Sequence, residues 1–414
     1  MLKQLFRRDH SRYSSLPLLG TALDGFATFL INNGYPQDVV CRRLRSAMSI
    51  DRRLRRCGCR DLRKITREKL RKCAPGPGRS QENINVSATV RLLERYFDEQ
   101  HILPPVPLKP AEERLASYRS YLETVRGLAP STVKHHLATA SELLSHLNDR
   151  GGLSYLPKLT SRDIEDFVQK TGKRISRASL QHAIACVRSF LRFLAVRNEA
   201  PTGLDSQIDT PRLYRGEKLP CSLPWETVNA LLKSIDRSTP LGVRDYAMLL
   251  LAGTYGLRAS EIVALKLEDI KWRASRLHVW QRKTAAPLIL PLTASVGNSI
   301  LDYVRRGRPK VPYREVFVRH RAPIGTLKPT AVTEVFQSWS RRSGLQIPFQ
   351  GPHCIRHSYA VHLLRQGTSL KTIGDILGHR SSESTCVYLR LAVDDLRTVP
   401  LSLPVGSSQE VCHE

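Results

Sequence analysis

Hydrophobic positions in this chain recur mostly at three- and four-residue steps, the spacing that gathers them on one face of a helix. In the first hundred residues Val40, Leu44, Met48, Leu54, Leu62, Ile65 and Leu70 follow that rhythm, until Leu103-Pro104-Pro105-Val106-Pro107 breaks it. A second helical stretch runs from Glu112 to Thr124, where Gly127 and Pro130 interrupt it. Ser131 or Thr132 is placed to cap the next helix, through Leu137, Leu143, Leu144 and Leu147, which Gly151-Gly152 ends. Thr160 then opens a helix with Ile164, Phe167 and Val168, and Leu180 to Val196 carries a dense apolar stripe. The period changes around Arg276 to Pro291, where Leu277, Val279, Leu288 and Leu290 read as two short strands joined by a turn. Val316-Phe317-Val318 reads as a third strand.

These elements divide the chain into a helical segment 1–105, a helical unit 106–200, a linker 201–220, a larger domain 221–400 and a polar tail 401–414. The first two parts echo one another. Phe26, Leu30, Gly34, Val40, Leu44 and Ile65-Thr66 correspond to Tyr118, Leu122, Gly127, Val133, Leu137 and Leu159-Thr160, at offsets of 92 to 94 residues. A duplicated helical unit is one reading; two unrelated four-helix units sharing a rhythm is the other.

Charge narrows the partner. The 414 residues hold 65 Lys and Arg against 37 Asp and Glu, a net +28, which concentrates polyanions and first of all nucleic acid. The excess is densest from Arg42 to Lys72, with fourteen cations against Asp51, Asp61 and Glu68. Arg42, Arg43, Arg52 and Arg53 here, and Arg188 and Arg192 in the second unit, are candidate DNA contacts. No apolar run approaches the roughly 18–20 residues that span a bilayer, and none follows Lys3, Arg7 and Arg8 as in a signal peptide. A cytoplasmic, nucleoid-associated protein without a membrane partner is the expectation. Nine cysteines without pairing rhythm fit free thiols. Cys57, Cys59 and Cys73 lack a fourth ligand and the paired spacing of zinc sites, so no metal is expected there.

Three stretches of the larger domain carry candidate chemistry. In Thr254-Tyr255-Gly256-Leu257-Arg258-Ala259-Ser260-Glu261, Arg258 stands at a helix start, where free backbone amides already favour an anion. Its planar fork can hold two phosphate oxygens, and Glu261, three residues on, can hold the fork. In His353-Cys354-Ile355-Arg356-His357 a second guanidinium lies beside imidazoles. A zinc reading of His353 and His357 fails for want of a glutamate base and because Arg356 would face the metal. Leu377-Gly378-His379 closes a helix that Ser369 can cap, and after a short loop, Arg380 to Ser384, the second turn of the next helix presents Tyr388, nine residues on.

Residues 221–400 resemble the catalytic domain of the tyrosine recombinases, the phage-integrase family. The resemblance rests on G-L-R-A-S-E at 256–261, H-x-x-R-H at 353–357, L-G-H at 377–379 and the tyrosine nine residues later. Lys283, in the expected turn eight residues before Pro291, matches the family's hairpin lysine. Residues 106–200 resemble the family's helical core-binding domain, including the entry Leu128-Ala129-Pro130-Ser131-Thr132-Val133. The basic first segment lies outside the common pattern, as in some transposon-borne members.

The resemblance implies a mainly α fold, with a helical core-binding domain and an α-rich catalytic domain holding a small antiparallel β-sheet. It implies that Tyr388 attacks a DNA phosphodiester, with Arg258, Lys283, His353, Arg356 and His379 as the other catalytic residues and Glu261 and His357 in support. No metal or other cofactor is implied, and no carboxylate cluster for two magnesium ions stands out in the sequence. The implied partner is double-stranded DNA carrying short specific sites, held by a homotetramer. Two rival classes share part of this pattern: a type IB topoisomerase, and a catalytically silent DNA-binding partner of another recombinase.

Overall fold

The helical spacing is realised almost throughout. The computed structural model describes residues 1–76, 80–105, 109–214, 220–281, 286–379 and 381–391. The chain divides into two units, Met1–Leu103 with Lys218–Glu414, and Pro104–Glu217. The basic first segment is thus grouped with the larger domain, although it keeps a hydrophobic core of its own. Lys283 and the tail 401–414 lie outside the described residues.

The first segment holds α1 (Leu2–Leu5), α2 (His10–Ser14), α3 (Gly20–Asn32), α4 (Gln37–Arg56), α5 (Arg67–Lys72) and α6 (Gln81–Glu99). One charged side chain is fully buried in that core. Asp51 accepts the amide N–H groups of Leu18 and Leu19 at 3.0 and 2.8 Å and pairs with Arg55 at 3.0 Å. It therefore serves the start of α3 as a cap delivered from another helix. Ile324 of the larger domain donates its N–H to the Asn33 carbonyl at 2.9 Å, joining the two parts of this unit.

The unit Pro104–Glu217 holds α7 (Pro110–Ser120), α8 (Pro130–Leu147), α9 (Ser161–Gly172) and α10 (Arg177–Val196) around Tyr118, Leu122, Leu143, Phe190 and Phe193. α8 starts earlier than the Ser131 or Thr132 cap would allow. Ala129 is its N-cap and Pro130 lies in the first turn, where a missing N–H loses nothing and a fixed φ suits the helix. Thr160 caps α9 as expected: its hydroxyl accepts the Asp163 N–H, and the Asp163 carboxylate accepts the Thr160 N–H at 2.8 Å.

The larger domain runs α11 (Trp225–Lys233), α12 (Pro240–Tyr255), α13 (Ala259–Ala264), β1 (Ile270–Lys271), β2 (Arg276–Gln281), β3 (Ala286–Pro291) and α14 (Ala294–Asp302). It continues with α15 (Thr330–Arg342), α16 (His353–Arg365), α17 (Leu370–Leu377) and α18 (Glu383–Cys386). α12 is buried nearly all round and forms the axis of the core. The sheet is antiparallel in the order β1-β2-β3, with Leu277 opposite Leu290 and Val279 opposite Leu288. Its third strand is β1, a correction to the sequence reading. Val316-Phe317-Val318 is instead a fully buried core segment, tied by the Val316 N–H to the Leu265 carbonyl at 2.8 Å. Three apolar residues in a row suit burial on all sides, which a strand of a half-exposed sheet does not offer. Among the described residues no helix is long and apolar enough to cross a membrane.

Candidate active site

The site begins where α12 ends. Gly256 adopts the left-handed conformation, φ 62°, and a Cβ there would lie 2.6 Å from Leu377 Cδ2. The chain reverses and makes Arg258 the N-cap of α13. Glu261, almost fully buried, accepts the Arg258 backbone N–H on Oε2 and its Nη1 on Oε1, both at 2.8 Å. One carboxylate thereby fixes both the backbone and the guanidinium, while about a fifth of the Arg258 side chain (19%) stays exposed.

Arg356, on the first turn of α16, is buried and reaches two carbonyls. Nη1 donates to Gly256 and Nη2 to Leu377, each at 2.6 Å. Those carbonyls belong to the turns that carry Arg258 and His379, so one guanidinium joins motifs about 120 residues apart. Burial, then the charge of Arg258, pulls its pKa down to about 10, which leaves it cationic at neutral pH.

Gly378, again left-handed at φ 62°, ends α17 and delivers His379. The Gln281 side chain from the end of β2 lies over it, and a Cβ would meet Gln281 Nε2 at 1.9 Å. The other strand of the hairpin is held by Tyr255, whose hydroxyl donates to the Pro291 carbonyl at 2.7 Å. The C-terminal ends of β2 and β3 are therefore anchored beside the histidine and arginine turns.

Tyr388 follows α18 in a short 3-10 turn, Val387–Leu391, with 1% of its surface exposed. Its hydroxyl is 3.1 Å from His357 Nδ1, and its ring stacks on His379 with centroids 6.3 Å apart. His379 Nδ1 in turn meets the Thr385 hydroxyl at 2.9 Å. His353, exposed at the start of α16, packs edge-on against His357 with centroids 4.4 Å apart. Burial raises the Tyr388 pKa, against the opposing pull of Arg356 and then Arg258. Burial, with His353, Arg356 and His379 nearby, lowers His357 to about 4. A neutral imidazole is what a phenolic proton needs as acceptor.

Arg258, Glu261, Arg356, His357, His379 and Tyr388 thus converge, with His353 at the rim. Sequence reasoning missed Thr385, Gln281 and Tyr255. A hydroxyl one helical turn before Tyr388 was the available signal for Thr385; nothing local marked the other two. The arginines expected at DNA mostly have partners within the chain. Arg42 pairs with Asp38 at 2.8 Å, Arg43 donates to the Asn85 carbonyl at 3.0 Å, and Arg53 donates to the Cys73 carbonyl at 2.9 Å. Arg188 donates to the Ile208 carbonyl and Arg192 pairs with Asp205 at 2.8 Å, while Arg52 is exposed. Cys59 and Cys73 are buried in the core, and burial pushes the Cys73 thiol up to about 11.

Comparison with known proteins agrees with this geometry. The profile of the phage integrase family matches residues 222–394, and that of the phage integrase N-terminal SAM-like domain matches 115–198. The putative integrase/recombinase y4rA of Sinorhizobium fredii is 36% identical over 299 residues, 72% of this chain and 72% of that one. The chain belongs to the phage integrase family of tyrosine recombinases. Tyrosine recombinase XerD of Listeria monocytogenes is 30% identical over 297 residues, covering 69% of this chain and 96% of the other. A lambda integrase tetramer bound to a Holliday junction shares the fold, with a TM-score of 0.52 at 17% identity over 76% of this chain and 88% of that one. As a tyrosine recombinase this protein is a site-specific DNA recombinase, in a family that works through a covalent protein–DNA intermediate.

Proposed function

We propose that Tyr388 is the nucleophile of this recombinase and that Arg258 and Arg356 neutralise the phosphate it attacks. The phenolic oxygen bonds to phosphorus on the 3′ side, and the bond to the 5′ oxygen breaks. The phenol's proton passes to the imidazole pair, His357 being within hydrogen-bond reach and His353 beside it. Lys283 supplies a proton to the departing 5′ oxygen, and His379 donates to a non-bridging oxygen. Fixed cations suit this work because charge builds on those oxygens in the transition state. The energy of the broken bond stays in the tyrosyl link, so a second 5′ hydroxyl reverses the step without a nucleotide cofactor.

The observation that carries this reading is the Arg356 fork, which brings the Arg258 and His379 turns together on the side of the molecule that holds the Tyr388 phenol. The same reading assigns residues 106–200 to gripping DNA, residues 221–400 to chemistry, and a homotetramer on short specific sites to the synaptic complex. The lambda tetramer on its junction supports that last part by likeness of fold.

Denaturing gels of the full chain incubated with genomic duplex fragments test the proposal. A gel-resistant adduct is expected with the natural chain and none with Tyr388→Phe, and sequencing the trapped DNA maps the target site. One lost hydroxyl should leave DNA affinity within about tenfold, since many phosphate contacts remain. An adduct formed by Tyr388→Phe would refute the assignment. Relaxed plasmid without joined sites would point to topoisomerase-type action instead.

A further inference from the structure

The first segment repeats the SAM-like unit in structure, beyond the few positions visible in the sequence. Both units run as four main helices in the same order, α3, α4, α5 and α6 against α7, α8, α9 and α10. Between the first two helices each has a glycine at positive φ, Gly34 at 76° and Gly127 at 56°. The third helices are capped by Thr66 and Thr160, and the fourth by Ser80 and Ser176, all through the side-chain hydroxyl.

The buried positions keep register. At an offset of 93, Val40, Ala47, Ile50 and Leu54 of α4 fall on Val133, Ala140, Leu143 and Leu147 of α8, and all eight are buried. At an offset of 97, Val90, Leu93, Tyr96 and Phe97 of α6 fall on Val187, Phe190, Phe193 and Leu194 of α10, again all buried. The aromatic clusters also coincide. Phe26, Phe29 and Tyr96 meet with centroids 5.5 to 6.3 Å apart, and Tyr118, Tyr121 and Phe193 at the equivalent places meet at 5.0 to 6.4 Å. Unrelated four-helix units have no physical reason to share both the register and the ring triad.

The surfaces differ. Residues 1–103 hold 21 Lys and Arg against 10 Asp and Glu, whereas residues 104–217 hold 17 against 12. On α4, Arg45, Arg52 and Arg56 are exposed, and at 100° per residue they fall within about 40° of one another. That stripe is opposite the buried face and spans about 16 Å at 1.5 Å per residue. The matching positions are Ala138 and Ser145 of α8 and Asp149 in the 3-10 turn that follows it. A straight row of three guanidinium groups, on a helix face whose one acid, Asp38, stands two turns before Arg45 and pairs with Arg42 at 2.8 Å, is complementary to a run of backbone phosphates.

We propose that residues of about 20–103 form a second SAM-like domain that binds duplex DNA through the Arg45–Arg52–Arg56 face of α4. The inference rests on the reading that this chain acts on DNA, and its DNA is the duplex flanking the segment held by the rest of the chain. The contact proposed is with backbone phosphates, because a row of cations along one helix face needs no particular base sequence to meet them, and the salt dependence reads it directly.

The test uses full-length protein and the triple variant Arg45→Ala/Arg52→Ala/Arg56→Ala. Affinity for a random-sequence duplex of about 60 base pairs is measured against salt, since each lost phosphate contact flattens the log–log slope by about 0.9. The expected slope is shallower by about 2 to 3, with an unchanged thermal midpoint because all three residues are exposed. On the DNA of the trapped adduct, the natural chain should protect flanking base pairs that the triple variant leaves open. An unchanged slope with an unchanged footprint overturns the inference. If the natural chain forms no adduct at all, the proposed function fails instead, and the salt slopes still decide whether α4 touches DNA.

Discussion

The two sides of the active site are held in different ways. The cationic side is built into the fold: Arg356 is pinned by two carbonyls at 2.6 Å, and Arg258 by both oxygens of a buried carboxylate at 2.8 Å. The side that carries the proposed nucleophile rests on a four-residue helix and a 3-10 turn, where Tyr388 packs against Val361, Ile373 and Leu377 and its hydroxyl lies 3.1 Å from a half-buried histidine. Charge stabilisation works best when the donors need not move, whereas Tyr388, 1% exposed, has to be reached by DNA before it can act as the nucleophile we propose. The difference suggests a division of labour in which the arginines wait in place and the tyrosine segment adjusts.

The largest effect should come from breaking the rigid side. Arg356→Lys keeps the charge and loses the fork, because one ammonium cannot reach the Gly256 and Leu377 carbonyls together. Adduct formation should fall by about 10²- to 10³-fold, the usual cost of an electrostatic donor, and the unfolding midpoint should drop as well. Single-turnover cleavage rates and denaturant melts measure both; a rate within threefold of the natural chain would show that the fork is dispensable.

A smaller effect is expected where the two sides meet. The Thr385 hydroxyl, 2.9 Å from His379 Nδ1, can hold the imidazole with its remaining proton on Nε2, ready to donate to phosphate. Thr385 packs closely, since a Cβ on Gly374 would lie 3.0 Å from its hydroxyl. Thr385→Val preserves that shape and should slow adduct formation about tenfold, with Thr385→Ser recovering most of the rate. In a His379→Ala background the same substitution should cost nothing more, because its partner is gone. A full tenfold loss in that background would mean that Thr385 supports the tyrosine helix and not the histidine.

How much of this was legible in the sequence follows from range. Arg258 and Glu261 lie three residues apart on one helix start, so the pattern alone placed their contact. Ser369, Gly378 and Thr160 act through local caps, and they too could be read directly. The Arg356 fork and the Gln281 contact with Gly378 join distant segments, and no spacing rule reports them. The α8 start was misplaced because Ser131 and Thr132 are good caps while Pro130 is a better first residue. Val316-Phe317-Val318 has strand-like residues but is used for burial, a choice that only tertiary packing decides. Arg43 and Arg53, two of the expected DNA contacts, donate to carbonyls within the chain, a use of their charge that density along a sequence does not report.

The gentlest way to sharpen the comparison is acid. His357 is held neutral down to about pH 4 by burial and by the neighbouring His353, Arg356 and His379, whereas an unfolded histidine takes its proton near 6.5. Between those values the unfolded chain binds a proton that the folded chain refuses. Stability is therefore full above about 6.5, declines as pH falls toward 4, and loses nothing more from this group below that. His320, packed on Tyr303 and lowered to about 4 by burial and Arg244, adds a parallel loss. His357→Leu keeps an apolar body in the same space and removes the proton site, so the urea midpoint should fall less between pH 6.5 and 4.5 than in the natural chain. The remaining fall belongs to His320, to His136 and His146, which burial also lowers, and to paired carboxylates, and His320→Leu added to it should flatten the curve further. An identical fall with and without His357 would mean that the imidazole protonates freely in the folded chain, and the phenol would then lose its acceptor throughout that range.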